Sequence, residues 1–472
     1  MPEKNLALMA HLMRRAGFGA AYEEIEARAK KGYEDTVEEL LEPQAHGVDP
    51  IDEALIYRHN PGFQNPGGVS MVGQGHWVYR MVNSPRPLEE KVALFWHHVF
   101  ATGNAKIDSM NQMQIQIDMF RQHGLGNFRD LLIRVSKDPA MIFWLDNNQN
   151  HKDAPNENWG RELLELFSMG QGNYTEKDVK EASRAFTGWT ISAKLPRSPY
   201  NRFAWEFEYH AEDHDDGEKT FLGHKGRFNG DDIIDIILKQ PATARFIARH
   251  MYNFFVADEV QVPSWLDVPP RDSVAINILA SALMESGWDI KHTLRVLFNS
   301  DFFKDEKVWH NKVKSPAELV VSSLKLVGQH ATPQPGISNI GVEIENQGQA
   351  LLNPPSVEGW HTGQEWIDTG ALVQRINFVA NRVGDPALPG VRRIIDRLSS
   401  KGELSPKELV AGCLELMGDV QVEKSTFDEL VSHASQSGPA NRGKTEAERR
   451  AFASRVCEVL QLIAATREYQ FG

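Results

Sequence analysis

Residues 88–102 read LEEKVALFWHHVFAT, and this stretch decides the fold. From Val92 to Ala101 nearly every side chain is apolar, interrupted only by His97 and His98. A helix that is apolar on all sides must be surrounded by other elements. The two imidazoles must then find partners or stay neutral, which makes a satisfied core histidine the first reading of each. Adjacent helical residues diverge by about 100°, so this helix alone is a poor platform for one metal held by both rings.

Outward from this stretch, three- and four-residue apolar spacing recurs on both sides. Upstream are LALMAHLMRRAGFG (6–19) and YEEIEARAKKGYEDTVEELLEP (22–43). Downstream are MNQMQIQIDMFRQHG (110–124), FRDLLIRVSKD (128–138), TARFIARHMYNFFV (243–256), SVAINILASALMESG (273–287) and SPAELVVSSLKLVG (315–328). Several begin after Ser or Asp or end in Gly, as helices do. One segment departs from the rule. In RFAWEFEYH (202–210), Phe203, Trp205, Phe207 and Tyr209 alternate with polar or small residues, a strand pattern. It is predicted to pair with KTFLGHKGRF (219–228) as an antiparallel hairpin.

The predicted architecture is therefore mainly α: a large multi-helix body with a small antiparallel β-hairpin insertion at about 201–228. A Gly/Pro-rich segment at about 336–369 reads as a long ordered loop. The body is assigned to 1–385 and a smaller, Trp-free helical segment to 386–472, with a polar break at SHASQSGPANRGKTEAE (432–448).

The chain has 472 residues, 41% hydrophobic and 24% charged, as expected of a chain with sizeable cores. Its net charge of −13 argues against nucleic acid or an anionic membrane as partner. Two cysteines, Cys413 and Cys457, exclude a disulfide framework and a zinc ribbon. The N-terminus carries no secretory signal pattern, and no window approaches a membrane span, so cytoplasmic residence is the expectation.

The most polar feature is the loop within LDNNQNHKDAPNENWGRELLELF (145–167). Counting from Asp146, residues Asn148, Asn150 and Glu157 fall at positions three, five and twelve of a calcium loop. His151 stands where such a loop needs Gly, so the pattern fits an irregular divalent-cation site, calcium first, or a capped connection between helices. In the second reading Asn156 or Asn158 caps the helix, and Glu157, Arg161 and Glu165 form an ion-pair stripe. Glu162 points about 100° away from Arg161.

HAEDHDDGEKTFLGH (210–224) gathers His210, Asp213, His214, Asp215, Asp216 and His224. That donor set suits zinc, iron or manganese, although Asp and Gly also populate turns for backbone reasons. Of eleven tryptophans, Trp189, Trp360 and Trp366 stand in Gly-containing loops where a ring can face a substrate. No P-loop, GxGxxG, HExxH, GxSxG or CxxCH signature occurs, so no nucleotide, flavin or c-type haem is indicated.

Six ordered blocks carry a family resemblance: HLMRRAGFG (11–19), ALFWHHVFATG (93–103), NENWGRELLELFSMGQGNYTEKDVKEASRAFTGW (156–189), HDDGEKTFLG (214–223), KSPAELVVS (314–322) and NPPSVEGWHTGQEWI (353–367). They resemble the bacterial domain-of-unknown-function 1800 family from about His11 to Phe378, with an echo in TREYQFG at the end. Many members read FWHNHF where this chain has FWHHVF, so a second histidine two places after His97 is missing. The resemblance implies no settled reaction. It does imply frequent export, and a genetic neighbour resembling sulfatases and alkaline phosphatases as a partner.

It also ranks the candidate residues. His97, Glu157, Arg161, Glu162, Glu165 and Arg184 would be catalytic. Arg14, Arg15, Trp189, His214, Asp215, Lys219 and Trp360 would bind a small-molecule or protein partner. Asp146, Asn148, Asn150 and Glu157 would hold the cation. The expected chemistry is hydrolysis or group transfer by a buried carboxylate with His97 as acid–base partner. The competing expectation is a non-catalytic scaffold whose charged cluster is structural.

Overall fold

The computed structural model describes residues 2–67, 69–192, 205–262 and 264–472. At its centre is the predicted helix, Pro87–Val99, with Pro87 in the first turn and Glu89 and Glu90 at its positive end. Trp96 is fully enclosed, ring-stacked between Phe100 and Phe128. Glu90 is buried as well. Its carboxylate accepts from Arg80 Nε (2.9 Å), Arg121 Nε (2.8 Å), Arg121 Nη2 (3.0 Å) and Trp77 Nε1 (3.1 Å).

Helices surround this one, and local sequence explains where many start. Thr175/Asp178, Asn229/Asp232, Ser315/Glu318, Ser405/Glu408 and Thr445/Glu448 each form a reciprocal capping box. One hydrophobic core runs continuously from Met9 to Tyr469, through both the 1–385 body and the 386–472 segment. Helix Pro389–Ser400 docks against helix Pro316–Val327 so closely that a Cβ on Gly390 would lie 1.9 Å from the Leu326 carbonyl oxygen. Cys413 and Cys457 are free and buried. In the polar stretch 432–448, Ala440 exchanges both backbone hydrogen bonds with Leu404.

The 336–369 segment is not one loop. Ile337–Glu345 is a helix crossing Ser70–Asn83, and a Cβ on Gly341 would meet Gln74 Cβ at 2.6 Å. The glycine read from sequence as a loop marker instead permits close helix contact.

The β insertion also differs from expectation. Two separate antiparallel pairs form: β1 (Trp189–Ile191) with β2 (Phe207–Tyr209), and β3 (Lys219–Phe221) with β4 (His224–Gly226). The alternating segment pairs with Trp189–Ile191 and not with 219–227. The latter closes on itself through a two-residue turn, Leu222–Gly223, with φ of 47° and 81°. The tight turn pairs the inner edges of 219–221 and 224–226 with each other. Phe203, the first residue of the predicted alternation, lies outside the described residues. Among the described residues no helix is long and apolar enough to cross a membrane.

Candidate functional site

Helix Asn158–Glu165 begins two residues after Asn156, whose side chain accepts from the Asn158 amide at 3.0 Å. Trp159, Gly160, Leu163 and Leu164 face the core. Gly160 lets the helix touch its neighbour, since a Cβ there would come 2.3 Å from Ser183 Oγ. The polar residues divide between two networks. Arg161 bonds Glu176 (2.8 and 2.7 Å) and Glu157 (3.3 Å) at the surface. Glu165, one turn from Glu162, accepts from the Tyr174 hydroxyl (2.9 Å) and from Gln171.

Glu162 itself is half-buried. Burial, then the neighbouring Glu165 and Glu358 carboxylates, outweigh Arg161 and push its carboxyl up to about 7. It therefore holds a proton close to neutrality.

The chain following this helix forms one wall of a cavity of about 200 Å³. Gln171 lines that space and donates to Glu165, coupling the carboxylates to the cavity. Helix Pro241–Phe255 supplies the opposite wall. Phe246 and Trp265 meet edge-to-face with centroids 5.2 Å apart, and His250 packs 4.5 Å behind Trp265. Arg249 lies over the Trp265 ring and is held by Glu259 at 2.7 Å, whereas Arg245 stands exposed at the mouth.

A third family block approaches through residues 358–360. Glu358 acts on Glu162, and Trp360 packs on both histidines of the central helix. His97 is fully enclosed, edge-on to Trp77 (5.6 Å) and Trp360 (5.3 Å), with neither ring nitrogen hydrogen-bonded. Burial, with His98 beside it, presses it down to about 3, which favours the neutral ring inside its aromatic cage. His98 is partly open and stacks on Trp360 at 6.4 Å. Burial and Lys312 press it down to about 4.

The remaining candidates lie apart from Glu162. Arg184 clasps Asp215 (2.7 and 3.2 Å) and Glu181 (3.1 Å), while Lys219 donates to the Asp215 and Gly217 carbonyls. His214 bonds the Thr187 carbonyl at 2.9 Å, and Trp189 Nε1 donates to Asn229. Together these tie the small sheets to helix Glu176–Ala185. His210 pairs with Glu208 (3.0 Å) and Asp213 with His151 (2.5 Å). Among the described residues, no three His, Cys, Asp or Glu side chains are grouped to hold a metal. Arg14 and Arg15 sit at the end of helix Pro2–Arg15, in separate surroundings.

In the 146–157 loop, most oxygens are engaged by protein donors. Asp146 takes Lys106 (2.7 Å) and Asn158 (3.4 Å), Glu157 takes Arg161, and Asn150 Oδ1 takes the Asn156 amide (2.9 Å). Asn147 and Asn150 spend their amides on the Phe186, Trp189 and Ser183 carbonyls. The amide-rich loop thus pins the chain entering β1. Only Asn148 Oδ1 is buried without a partner among these side chains. Chelation is accordingly expected to leave the melting temperature unchanged. A fall with chelator that calcium reverses would mean that these oxygens regroup around an ion.

Sequence reading missed Glu358, Tyr174, Gln171, Phe246, Trp265 and Arg245. Glu358 lies in the NPPSVEGWHTGQEWI block, where only the tryptophans draw attention. The helix carrying Phe246 showed periodicity but nothing to tell a cavity wall from core.

The three converging blocks are those of one sequence family. The model of a family described as a protein of unknown function (DUF1800) matches residues 11–471. The chain belongs to that family. No curated protein and no solved structure matches it.

Proposed function

We propose that the chain is an acid–base enzyme of hydrolytic or transfer chemistry, with Glu162 as the proton-carrying group. The observation that carries this is a carboxyl pushed up to about 7 beside a second carboxylate, Glu165, that accepts two side-chain hydrogen bonds. Two carboxyl groups in contrasting environments can divide acid and base duties, and an acid tuned near the working pH transfers protons most effectively. The cavity beyond Gln171, walled by Phe246 and Trp265, would seat an apolar or aromatic part of the substrate. His97 takes no part in this reading, because burial favours its neutral ring and neither ring nitrogen is hydrogen-bonded.

The test is a panel of chromogenic esters, phosphate and sulfate monoesters and glycosides, run with the wild type and Glu162→Gln. A substrate that is turned over should lose roughly 10²–10⁴-fold in kcat with the variant. Equal turnover would remove Glu162 from the chemistry. Stability supplies a readout independent of substrate. A carboxyl raised in the folded state binds its proton more tightly there, so wild-type stability should fall as pH rises from about 4.5 to 7. Glu162→Gln should remove that slope and gain about 1–2 kcal/mol at pH 8, after allowance for solvent screening. Urea unfolding at both pH values measures it.

One observation favours the scaffold reading: Arg161 and Arg184 are spent on carboxylates within the chain. Under that reading the cavity would bind without turnover, and Glu162→Gln would leave binding unchanged.

A further inference from the structure

A concentration of positive charge lies away from Glu162, where the end of helix Pro2–Arg15 meets residues 308–318 and the last turn of the chain. Arg14, Arg15, Lys91, Lys312, Lys314 and Arg375 gather there with three carboxylates, Glu318, Asp258 and Asp419. Glu318 pairs with Lys91, Asp258 lies 3.8 Å from Lys312, and Asp419 acts on Arg14. Among the described residues Arg15, Lys314 and Arg375 make no ion pair of their own, and Glu318 attracts each of them without pairing.

Their donors are only partly used. Arg14 reaches the Gly418 carbonyl (3.0 Å) and Arg15 that of Val308 (3.2 Å), yet both Nε atoms are buried with no acceptor. Arg375, fully buried, has Nη1 unpartnered, and both ring nitrogens of His310 are unpartnered. Lys314 donates to the Tyr469 carbonyl at 2.8 Å.

Two adjoining spaces open among these groups, of about 40 and about 20 Å³, sharing Arg14, Lys314 and Ser322 as walls. Arg15, Glu318 and Gly472 line the smaller and His310 the larger, and Glu318 is already engaged by Lys91 and the Ser315 amide. Buried cations with unspent donors are costly unless an anion reaches them, and guanidinium groups are the side chains best matched to tetrahedral oxyanions.

We propose that the two adjoining spaces, with Arg14 and Lys314 as their common wall, Arg15 on one side and His310 on the other, together bind a small tetrahedral oxyanion, either free phosphate or the phosphate end of a monoester. The neutral His310 ring can contribute one N–H, and Ser322 a hydroxyl. Burial and the flanking cations press Lys314 well below its ordinary range, and a bound dianion would oppose that shift. This site is independent of the Glu162 reading.

The experiment is calorimetry and thermal melting of the full chain in phosphate-free buffer, titrated with inorganic phosphate or glycerol 2-phosphate. Sodium chloride at matched ionic strength is the control. Phosphate should bind saturably and raise the melting temperature, and Arg14→Gln and Lys314→Gln should each weaken binding at least tenfold. Binding of inorganic phosphate alone would identify the free anion; binding of both would identify a headgroup site.

Without phosphate, Arg14→Gln should be about as stable as wild type, because relief of its repulsion with Arg15 and Lys314 offsets the lost attraction of Asp419. A purely structural Arg14 would instead lose stability with or without phosphate. No response beyond that to chloride would overturn the proposal. So would an equal response in wild type and both variants, and a null result would mean that groups within the chain, such as the Gly472 carboxylate, already serve these cations.

Discussion

Glu90→Ala is expected to cost about 3–5 kcal/mol of unfolding free energy at pH 7, the range for breaking a buried ion cluster by removing one partner. The carboxylate is fully buried and takes four hydrogen bonds, from Arg80, Arg121 and Trp77. Removing it takes the shared buried carboxylate from two guanidinium groups whose side chains are only 13% and 9% exposed, leaving Arg80 with Glu53 and Arg121 with the exposed Asp118. It also leaves an indole N–H without its acceptor. Glu90→Gln keeps the shape but not the charge and should fall between alanine and wild type. Burial raises the Glu90 carboxyl, but Arg121 and Arg80 more than offset this and hold it below the ordinary range. A lowered carboxyl contributes fully above about pH 4.5 and loses its contribution as pH falls through its folded value. The wild type should therefore lose stability in acid more steeply than Glu90→Ala. Urea denaturation at pH 7 and pH 4 checks both points, and a loss under about 1 kcal/mol would show that Glu53 and Asp118 suffice to hold the two arginines.

Glu318→Ala should cost a similar amount, about 3–5 kcal/mol, with about 1 kcal/mol of it from the lost cap. One carboxylate oxygen pairs with Lys91, fully buried between the Phe18 and Phe254 rings, and the other accepts the Ser315 amide at 2.7 Å. Lys91 would remain as a buried ammonium near Lys312 and Arg15. Replacing Lys91 by Met in the same chain should recover part of the loss, because both charges are then gone. A double variant no more stable than Glu318→Ala would mean that the cap, and not the stranded charge, dominates.

Both clusters join residues that are neighbours only in space. Glu90 and Arg121 lie on different helices, and Lys91 and Glu318 are 227 positions apart. Nothing in LEEKVALFWHHVFAT distinguishes Glu90, which holds two arginines, from Glu89. His97 was legible as a buried residue, but its aromatic cage was not, because Trp77 and Trp360 come from distant segments. The candidate carboxylates show the same division. Glu162 and Glu165 stood out from their helix, whereas Glu358 and the cavity wall around Phe246 reached the list only through the fold.

What the sequence determined by itself is local. Apolar periodicity and caps specify the helices Pro87–Val99 and Asn158–Glu165, because a helix forms bonds and side-chain contacts within four residues along the chain. Its ordered blocks also identified the family. What the tertiary structure decided is non-local: that Phe207–Tyr209 pairs with Trp189–Ile191, that Arg161 and Arg184 are bound by internal carboxylates, and that the charge of Glu358 acts on Glu162. Strand pairing requires a partner that chain proximity does not specify. A carboxyl's proton affinity depends on burial and on the charges brought near it, and both exist only once the helices have packed.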